Sequence, residues 1–349
     1  MTLAVSVVST ARHLARPARN ARAAWAQRAS CIITLKSDTG TLGQGEAAPL
    51  PDFSPDRLAD CEQALSELDP SGIPGRLEPN QDLIGELGRA SVRIPPNLPA
   101  ARAALEGALL DLWARAARVP AWALLSPHAP RSRAVAALLS GEPEQAVEQA
   151  VAARARGIET FKFKIGRPGA LQRELSAVQA LRAALGPLAR LRLDANQALS
   201  AEEAREFLPK FATCDVEFIE EPCAPRELAQ LTDLGLPLAL DESLAAGARP
   251  RSGDRAVIAK PTLQGGVSGC FALAQAASGV GAELVLSHAF EGPLGLGLSA
   301  ALALSIGSEV LAHGLDCEGA QLAQLRLPWY SEAALQAWSE PGFGIPEQP

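Results

Sequence analysis

The stretch Phe161-Lys162-Phe163-Lys164-Ile165 decides which fold and which site the sequence predicts. In an extended strand successive side chains alternate, so Lys162 and Lys164 face one side and the three apolar residues face the other. Two ammonium groups on one face of an apolar strand cost free energy unless anionic groups lie nearby. The strand therefore predicts a buried site where carboxylates from other parts of the chain meet these lysines.

Suitable carboxylates follow along the chain, each at the end of its own strand-like run. Asp194, Glu220 and Asp241 hold these positions, and a further lysine, Lys260, completes the series. Counted from Lys164, the separations are 30, 26, 21 and 19 residues, about one strand and one helix each. A strand-end cap or a surface ion pair would explain any one of these residues alone. Five such residues, each at the end of a successive predicted strand, instead predict a single site at the carboxyl-terminal mouth of a barrel.

The chain from residue 126 to residue 315 alternates apolar strand-like runs with helical runs, which predicts a parallel sheet. About eight such units in about 180 residues favour a closed barrel over an open sheet. The predicted strands are Ala134–Ser140, Thr160–Ile165, Leu191–Ala195, Val216–Glu220, Leu238–Asp241, Ala256–Lys260, Glu283–Ser287 and Glu309–Gly314. The predicted helices between them include Glu144–Arg156, Ala170–Leu185, Ala201–Phe211, Ser268–Ala277 and Leu294–Ile306.

Residues 1–125 predict a separate α+β domain. Leu3–Ser9, Ser30–Lys36 and Thr41–Ala48 are typical of a small antiparallel sheet. Helices are predicted over 55–68 and 99–118, and the second carries one apolar stripe formed by Ala101, Leu105, Leu109, Leu112 and Trp113. The tail, 316–349, has little pattern, and we expect it to pack back on this domain and complete it.

The first 37 residues contain no acidic side chain but several arginines, a composition that resembles a transit peptide. We favour the first strand and loop of a folded domain, because the strand-like run Cys31–Leu35 follows directly.

Composition excludes several classes of protein. A net charge of −7 and a pI near 5.3 argue against a general nucleic-acid surface, and no apolar run approaches the length that spans a bilayer. The six cysteines lack metal-binding spacing and are expected to be reduced, mostly buried thiols; a Cys214–Cys223 disulfide is the less favoured alternative. We therefore expect a cytoplasmic enzyme that binds a small carboxylate, not nucleic acid or membrane. A homo-oligomer is compatible with this interpretation.

The three carboxylates have no histidine or cysteine near them, and such hard oxygen ligands suit Mg²⁺ or Mn²⁺. Without a cation they would repel one another, so a metal explains why they coexist. Asn196 shares the inward face with Asp194, and Glu221 and Glu242 adjoin two of the ligands. These three residues are candidates for orienting the metal ligands.

The lysines suit proton transfer. Lys164 and Lys260 approach a bound substrate from opposite sides of the mouth, and a lysine acts as a base when burial or a neighbouring cation lowers its pKa. Lys162 and the metal supply that neighbouring charge. The predicted reaction removes a proton alpha to a carboxylate, with the metal stabilising the resulting enolate.

The chain resembles a known family, the enolase superfamily and its muconate-lactonizing-enzyme-like subgroup. The motifs that carry the resemblance are Lys162-Phe163-Lys164, Asp194-Ala195-Asn196, Glu220-Glu221-Pro222, Asp241-Glu242-Ser243, Lys260-Pro261-Thr262 and, near the amino terminus, Gly45–Leu50. The resemblance implies a modified (β/α)7β TIM-type barrel with an α+β capping domain. It implies that the capping-domain loop around Arg16–Arg22 closes over the site, where an arginine either pairs with a substrate carboxylate or remains solvated. It also implies Mg²⁺ bound by Asp194, Glu220 and Asp241, with Lys164 and Lys260 flanking the substrate.

Within the subgroup the chain is most similar to o-succinylbenzoate synthases, through the runs Ala48–Ser54, Lys260–Gly266 and His313–Asp316. That resemblance implies elimination of water from a cyclohexadiene carboxylate on the menaquinone route. Lys164 would take the alpha proton and later help to protonate the leaving hydroxide, while Lys260 stays cationic. N-acylamino-acid racemases, dipeptide epimerases and muconate cycloisomerases of the same subgroup remain alternatives, because two opposed lysines also serve a racemase.

Two local sequences bear on the substrate. Dipeptide epimerases resemble one another in an Asp-x-Asp near the last strand, whereas this chain reads Gly314-Leu315-Asp316 there. After the seventh strand the chain reads Ser287-His288-Ala289-Phe290-Glu291. Ser287 and Glu291 are candidates for binding substrate or supporting the site, and His288 is expected to be structural. A barrel that binds a ligand without turnover is the alternative from another class, and it predicts loss of a ligand or base.

Overall fold

The structure is a computed structural model, and it describes residues 3–19, 24–78, 81–139, 141–228, 231, 234–316, 327–331 and 333–347. The side chains of residues 15–24 lie outside the described part, and so does Cys317. Residues 3–125 are called the N-terminal unit.

The N-terminal unit begins with a three-stranded antiparallel sheet of β1 (Leu3–Arg19), β2 (Ala24–Ser37) and β3 (Leu42–Ala47). The first two strands pair from Leu3 opposite Ser37 to His13 opposite Gln27, and pairing resumes at Ala18 opposite Trp25. The predicted strands Leu3–Ser9 and Ser30–Lys36 were therefore too short, because the hairpin continues as strand to Arg19 and from Ala24. Leu14 and Trp25 at its far end are buried in a cluster with Leu50 and Ala289, a packing that local sequence pattern does not encode.

A parallel sheet fills the middle of the chain, with the strands in sequence order from β5 to β11. After β4 (Ser132–Ala134), its members are β5 (Ala136–Leu139), β6 (Thr160–Lys164), β7 (Arg190–Asp194), β8 (Val216–Glu220), β9 (Leu238–Leu240), β10 (Asp254–Ala259) and β11 (Glu283–Leu286). The curled sheet confirms the predicted barrel class. The predicted eighth strand is reduced to two bridges, in which His313 pairs with Val135 and Gly314 with Ser287, so this segment joins the two edges of the sheet.

Twelve α-helices are found in the described residues. The N-terminal unit contributes α1 (Leu58–Ser66), α2 (Leu83–Ser91), α3 (Pro99–Ala117) and α4 (Ala121–Leu125). The barrel contributes α5 (Ala146–Ala155), α6 (Leu171–Leu185), α7 (Ala201–Ala212), α8 (Pro225–Leu228), α9 (Glu242–Ala245), α10 (Pro261–Gln264), α11 (Val267–Ser278) and α12 (Pro293–Ile306). A short 3-10 turn, Pro143–Gln145, precedes α5.

Helix α3 lies at the centre of the contact between the N-terminal unit and the barrel. The predicted apolar stripe is too narrow, because Glu106 and Asp111 on other faces of the helix are also completely buried. The strand β3 packs directly on the helix, since a Cβ atom at Gly43 or Gly45 would overlap its backbone carbonyls. These glycines permit the close approach.

The carboxyl-terminal segment lies across both parts of the molecule. Its strands β12 (Tyr330–Ser331) and β13 (Ala334–Gln336) extend a small antiparallel sheet that begins with β4. Further along, the backbone N–H of Phe343 donates to Asp111 at 2.9 Å, and Gly342 accepts from Ala121 at 2.8 Å. The described end of the tail therefore packs on α3 and α4.

Two predictions about the whole chain can be compared with the structure. Cys31, Cys61, Cys214, Cys223 and Cys270 are buried free thiols, so the Cys214–Cys223 disulfide alternative is wrong. Over the described residues, every helix is too short or too polar to cross a bilayer.

Candidate active site

The register of the parallel strands brings the predicted polar residues to one level of the barrel. Lys164 pairs with Asp194 across β6 and β7, and Asp194 pairs with Glu220 across β7 and β8. Asp241 and Lys260 follow directly after β9 and β10. We call this layer the floor; it consists of Lys162, Lys164, Asp194, Glu220, Asp241 and Lys260.

Lys162 lies at the centre of the floor, paired with two carboxylates. Its Nζ is 2.6 Å from Glu220 Oε2 and 3.0 Å from Asp194 Oδ2. Burial opposes the charge of this ammonium group, but the carboxylates outweigh burial and raise its pKa above the ordinary value. The same pairing holds the pKa of Asp194 below its usual range despite burial. Lys162 is therefore a fixed cation.

Lys164 differs from its neighbour. Its Nζ donates to Asn196 Oδ1 at 2.9 Å and is 3.5 Å from Asp194 Oδ2. Burial lowers its pKa, and the positive charges of Lys162 and Lys260 lower it further, against the attraction of Asp194. Two lysines on one strand face thus have pKa values shifted in opposite directions, the pattern expected of a base beside a permanent cation.

Lys260 faces the floor from the other side. Its Nζ donates to both oxygens of Asp241, and the Oδ1 contact measures 2.6 Å. Burial opposes its charge, but Asp241 and Glu242 outweigh burial and raise its pKa. The aromatic ring of Phe53, from the N-terminal unit, lies 4.8 Å from this nitrogen in a cation–π contact that sequence reasoning did not assign.

A row of hydrogen bonds supports the floor from outside. Glu242 Oε1 accepts from Asn196 Nδ2 at 2.6 Å, and Asn196 in turn holds Lys164. Glu221 Oε1 accepts from the backbone N–H of Asp241 at 2.7 Å, which fixes the turn after β9. Both Asn196 and Glu221 have a positive φ, of 44° and 39°. Such backbone strain is typical of functional sites, where surrounding contacts maintain it.

The three carboxylates fit a hard divalent cation by their chemistry. Asp194, Glu220 and Asp241 are each no more than 3% exposed, lie on adjacent strands and offer oxygen donors alone. Burial, together with the neighbouring carboxylates, raises the pKa of Glu220 to about 7 in spite of Lys162, which reflects anionic crowding that a cation would relieve. Within the described residues, no group of three His, Cys, Asp or Glu side chains has a ready metal-binding arrangement. The ammonium groups of Lys162 and Lys260 contact these oxygens, and metal binding would require them to move aside.

A pocket lies above the floor, and its empty space, together with the open solvent at its mouth, is about 800 Å³. Its upper part is apolar, and we call it the roof: Trp25, Leu50 and Phe53 from the N-terminal unit, and Phe290 from the loop after β11. The only carboxylates among its described lining residues are Asp194, Glu220, Asp241 and Asp316. Asp316 accepts two hydrogen bonds from Arg156, each of 3.2 Å, and one from Tyr330. The roof therefore offers aromatic surface, and the remaining carboxylate already has an arginine partner.

The loop after β11 places its predicted residues differently. Ser287 lines the pocket, as expected for a substrate contact. Glu291 does not line it, since its side chain is buried behind the loop and accepts from the backbone N–H of Ala289 at 2.6 Å. His288 lines the pocket, burial lowers its pKa to about 3, and its Nδ1 accepts from the backbone N–H of Phe290. That contact fits a structural role for His288.

One arginine near the amino terminus contacts the barrel at a point that the sequence did not predict, and the predicted arginines remain untested. The side chains of Arg16, Arg19 and Arg22 lie outside the described part of the chain. Arg12, which lies earlier on β1, donates to the backbone carbonyls of Phe290 and Glu291, each at 3.2 Å. It holds the loop that carries the roof. No periodic feature of the sequence would have distinguished Arg12 from the other arginines.

Two family models match the chain. The mandelate racemase / muconate lactonizing enzyme N-terminal domain matches residues 2–126, and the enolase C-terminal domain-like model matches residues 145–346. Members of the enolase superfamily bind Mg²⁺. The two matches together span most of the sequence and leave residues 127–144 between them unmatched.

Individual relatives carry the names of different activities. An o-succinylbenzoate synthase from Aliivibrio salmonicida is 29% identical over 324 residues, 90% of each chain. The L-Ala-D/L-Glu epimerase of Bacillus subtilis is 27% identical over 288 residues, 79% of this chain and 77% of the relative. Among solved structures, a dipeptide epimerase from Enterococcus faecalis, complexed with Mg and the dipeptide L-Leu-L-Tyr, superposes with a TM-score of 0.82 at 23% identity. That superposition covers 98% of this chain and 99% of the other.

Proposed function

We propose a function on the basis of family membership. The protein is an enzyme of the enolase superfamily, in its muconate-lactonizing-enzyme-like group. Our proposal is a dehydration of the o-succinylbenzoate synthase type, in menaquinone biosynthesis. The enzyme removes a proton alpha to a carboxylate of a hydroxylated cyclohexadiene and expels water, leaving an aromatic ring. The observation that carries the proposal is the pair Lys164 and Lys260, held on opposite sides of three buried carboxylates.

Lys164 is the proposed base. Its pKa is lowered, its Nζ is oriented by Asn196, and it lies at the tip of its strand where it faces the pocket. It takes the alpha proton on Nζ and returns a proton to the departing hydroxide, so that water leaves and the lysine is ready for another turnover. Lys162 stays charged, and this charge favours the neutral form of Lys164.

Lys260 is the proposed electrostatic partner. Its raised pKa keeps it cationic, and a cation beside the ring stabilises the negative charge that proton removal creates. In a racemase the same residue would instead donate or accept a proton on the opposite face.

We propose that Asp194, Glu220 and Asp241 hold Mg²⁺, for which Mn²⁺ can substitute. When bound, the metal neutralises the substrate carboxylate and stabilises the charge that develops on it. The chain's own contribution is to orient these ligands: Glu221 fixes the backbone of Asp241. Lys162 would have to give up its contact with Glu220 for that carboxylate to bind the cation.

The roof favours dehydration over dipeptide epimerisation. A dipeptide brings an ammonium group that needs an anionic partner, and outside the metal ligands the described pocket lining offers Asp316. That carboxylate is already paired with Arg156. Trp25, Phe53 and Phe290 instead suit an unsaturated carbon ring. Epimerisation stays the second candidate, because the Bacillus subtilis relative is similar over most of its length.

A direct assay separates these candidate functions. Purified enzyme with Mg²⁺ is given the cyclohexadiene substrate, N-succinyl amino acids and dipeptides in turn, and α-proton exchange into D₂O is followed for each. We expect net turnover of the cyclohexadiene and loss of all exchange in Lys164→Ala. Turnover of N-succinyl amino acids or dipeptides alone would instead identify a racemase or epimerase. Exchange that is absent in the wild type, or equal in Lys164→Ala, would contradict the catalytic proposal and favour ligand binding without turnover.

We infer further that residues 1–125 together with 316–349 form a capping unit and 126–315 the barrel unit. Hydrogen bonds from the tail to Asp111 and Ala121 support this division. The buried free thiols suit a reducing compartment, and a cytoplasmic location belongs to the same proposal.

A further inference from the structure

We propose that Glu46 and Glu106, two buried carboxylates of the N-terminal unit, are positioning residues that hold two pocket-forming segments of the barrel in place. Neither side chain lines the pocket. Each one instead accepts hydrogen bonds at the start of a barrel helix, and each of these helices follows a strand that ends at the site. Glu46 holds the segment that carries Phe290, and Glu106 holds the segment that follows Lys260.

Glu46 lies on β3 and reaches the first turn of α12. Its Oε1 accepts from the backbone N–H of Gly292 at 2.8 Å, and its Oε2 accepts from Gly295 at 3.1 Å. Phe290, a roof residue, is two positions before Gly292. The same short segment is held by Arg12 at the carbonyls of Phe290 and Glu291. The loop that bears the roof is therefore attached to the N-terminal unit through both its N–H and its C=O groups.

Glu106 lies on α3 and reaches the first turn of α11. Its Oε2 accepts from the backbone N–H of Ser268 at 2.8 Å, and its Oε1 accepts from the Ser268 hydroxyl at 2.5 Å. The short helix α10 and the two glycines after it separate Lys260 from this turn, and α10 packs on α3. A displacement of the start of α11 would therefore be transmitted to the backbone of Lys260.

The shape of the backbone agrees with this role. A Cβ atom on Gly292 would lie 2.8 Å from Glu46 Oε1, and one on Gly266 would lie 2.7 Å from Glu106 Oε2. At both helix starts a glycine leaves the space that the incoming carboxylate occupies.

Electrostatics makes the contacts depend on docking of the N-terminal unit. A buried carboxylate is costly unless hydrogen-bonded, and the amino terminus of a helix supplies both donors and a favourable dipole. Glu106 is completely buried, and burial raises its pKa even though Ser268 counteracts the effect. If the N-terminal unit shifts, both carboxylates lose their donors together. The two contacts thus set the positions of Phe290 and Lys260 relative to the N-terminal unit.

Hydrogen–deuterium exchange tests the proposal without relying on turnover. We expect Glu46→Gln to speed amide exchange in 287–296 at least tenfold while 261–270 changes less than twofold. Glu106→Gln should give the opposite pattern. Glu203→Gln is the matched control, because Glu203 caps α7 from within the same helix through Ser200 on the exposed surface. In that variant faster exchange should be confined to the start of α7.

Two further variants guard against a general loss of folding. Gly292→Ala keeps the Glu46 charge but crowds its carboxylate, and its backbone φ of −78° accepts alanine. Ser268→Ala removes one donor to Glu106. Each should reproduce the segment-specific effect in weaker form. Uniformly faster exchange over the whole chain, or unchanged exchange in both segments, would overturn the proposal.

Kinetics adds a readout that rests on the proposed function. Glu46→Gln should mainly raise KM, since it loosens the roof, and Glu106→Gln should mainly lower kcat, since it displaces Lys260. If exchange changes as expected but the wild type turns over none of the substrates, the dehydration proposal fails and the positioning proposal stands. If the wild type turns over the cyclohexadiene substrate but exchange is unchanged in both segments of the variants, the dehydration proposal stands and the positioning proposal fails.

Discussion

The floor and the roof of the pocket are built in different ways. Floor residues lie at the ends of neighbouring strands, and the register of one parallel sheet sets their relative positions. Roof residues come from separate segments, with Trp25 on a hairpin, Phe53 on a turn and Phe290 on a barrel loop. Only packing between the N-terminal unit and the barrel brings them together. The floor carries chemistry that dehydratase and epimerase share, and the roof is where the two would differ.

The largest expected effect belongs to the proposed base on the floor. Lys164→Ala should lower kcat by a factor of about 10³ or more, since a general base contributes about 10²–10⁴ and its ammonium form also compensates Asp194. Steady-state kinetics with the cyclohexadiene substrate measures this. Lys210→Ala is the control, since Lys210 pairs with Glu206 on the surface of α7. A fall of less than tenfold would remove Lys164 from the chemistry and break the division between floor and roof.

The next effect concerns the proposed metal ligands. Asp241→Asn should weaken Mn²⁺ binding at least tenfold, because one anionic oxygen donor is lost from three. Titration calorimetry measures the affinity directly, and EDTA should abolish turnover of the wild type in parallel. Asp215→Asn serves as the control because that side chain is 84% exposed and remote from the floor. Equal Mn²⁺ affinity in wild type and Asp241→Asn would show that the floor carboxylates do not hold the cation.

These two predictions rest on residues that the sequence alone could identify. One polar residue ends each of several successive strand-like runs, and the spacing repeats with the βα unit, so pattern and register agree. The closing segment was predicted less well. His313 and Gly314 each make a single bridge, because the buried His313 Nδ1 accepts from Leu286 and strand pairing does not continue around it.

The roof was out of reach of the same reasoning. Leu14 and Trp25 follow no periodic pattern, and their burial depends on Leu50 and Ala289, which are distant in sequence. Glu291 was predicted either to bind substrate or to support the site, and its place could not be predicted, because the chain turns at Phe290, where φ is +60°, and carries Glu291 behind the loop. Residues fixed by strand register are predictable, whereas residues fixed by docking of two units require the structure.

A smaller effect is expected behind the roof, at Glu291. Burial raises the pKa of this carboxyl from its ordinary 4.5 to about 7. The folded state therefore holds a proton that the unfolded state has released between these pH values, and stability falls as pH rises through this window. The upper bound of the loss is about 3 kcal/mol, from about 1.4 kcal/mol per pH unit.

Glu291→Gln should remove that loss. Urea unfolding of both proteins at pH 5 and pH 8 measures it, and the variant should gain up to about 3 kcal/mol relative to wild type at the higher pH. The comparison at pH 5 controls for changes in packing, because there the wild-type carboxyl is already protonated in the folded state. A difference between the two proteins that is the same at both pH values would mean that folding does not raise the pKa of Glu291.

The smallest effect should come from the aromatic ring that touches both regions. Phe53 belongs to the roof, yet its ring lies 4.8 Å from the Lys260 nitrogen on the floor. Phe53→Ala removes apolar contact with the substrate and the cation–π contact, together about 1–2 kcal/mol, so KM should rise about tenfold while kcat changes little. Phe53→Leu restores most of the apolar surface without the π face, and its KM should lie between that of the wild type and that of Phe53→Ala. A large fall in kcat with KM unchanged would instead assign Phe53 to the floor, as a residue that tunes Lys260, and the roof would then take part in the chemistry as well as in substrate choice.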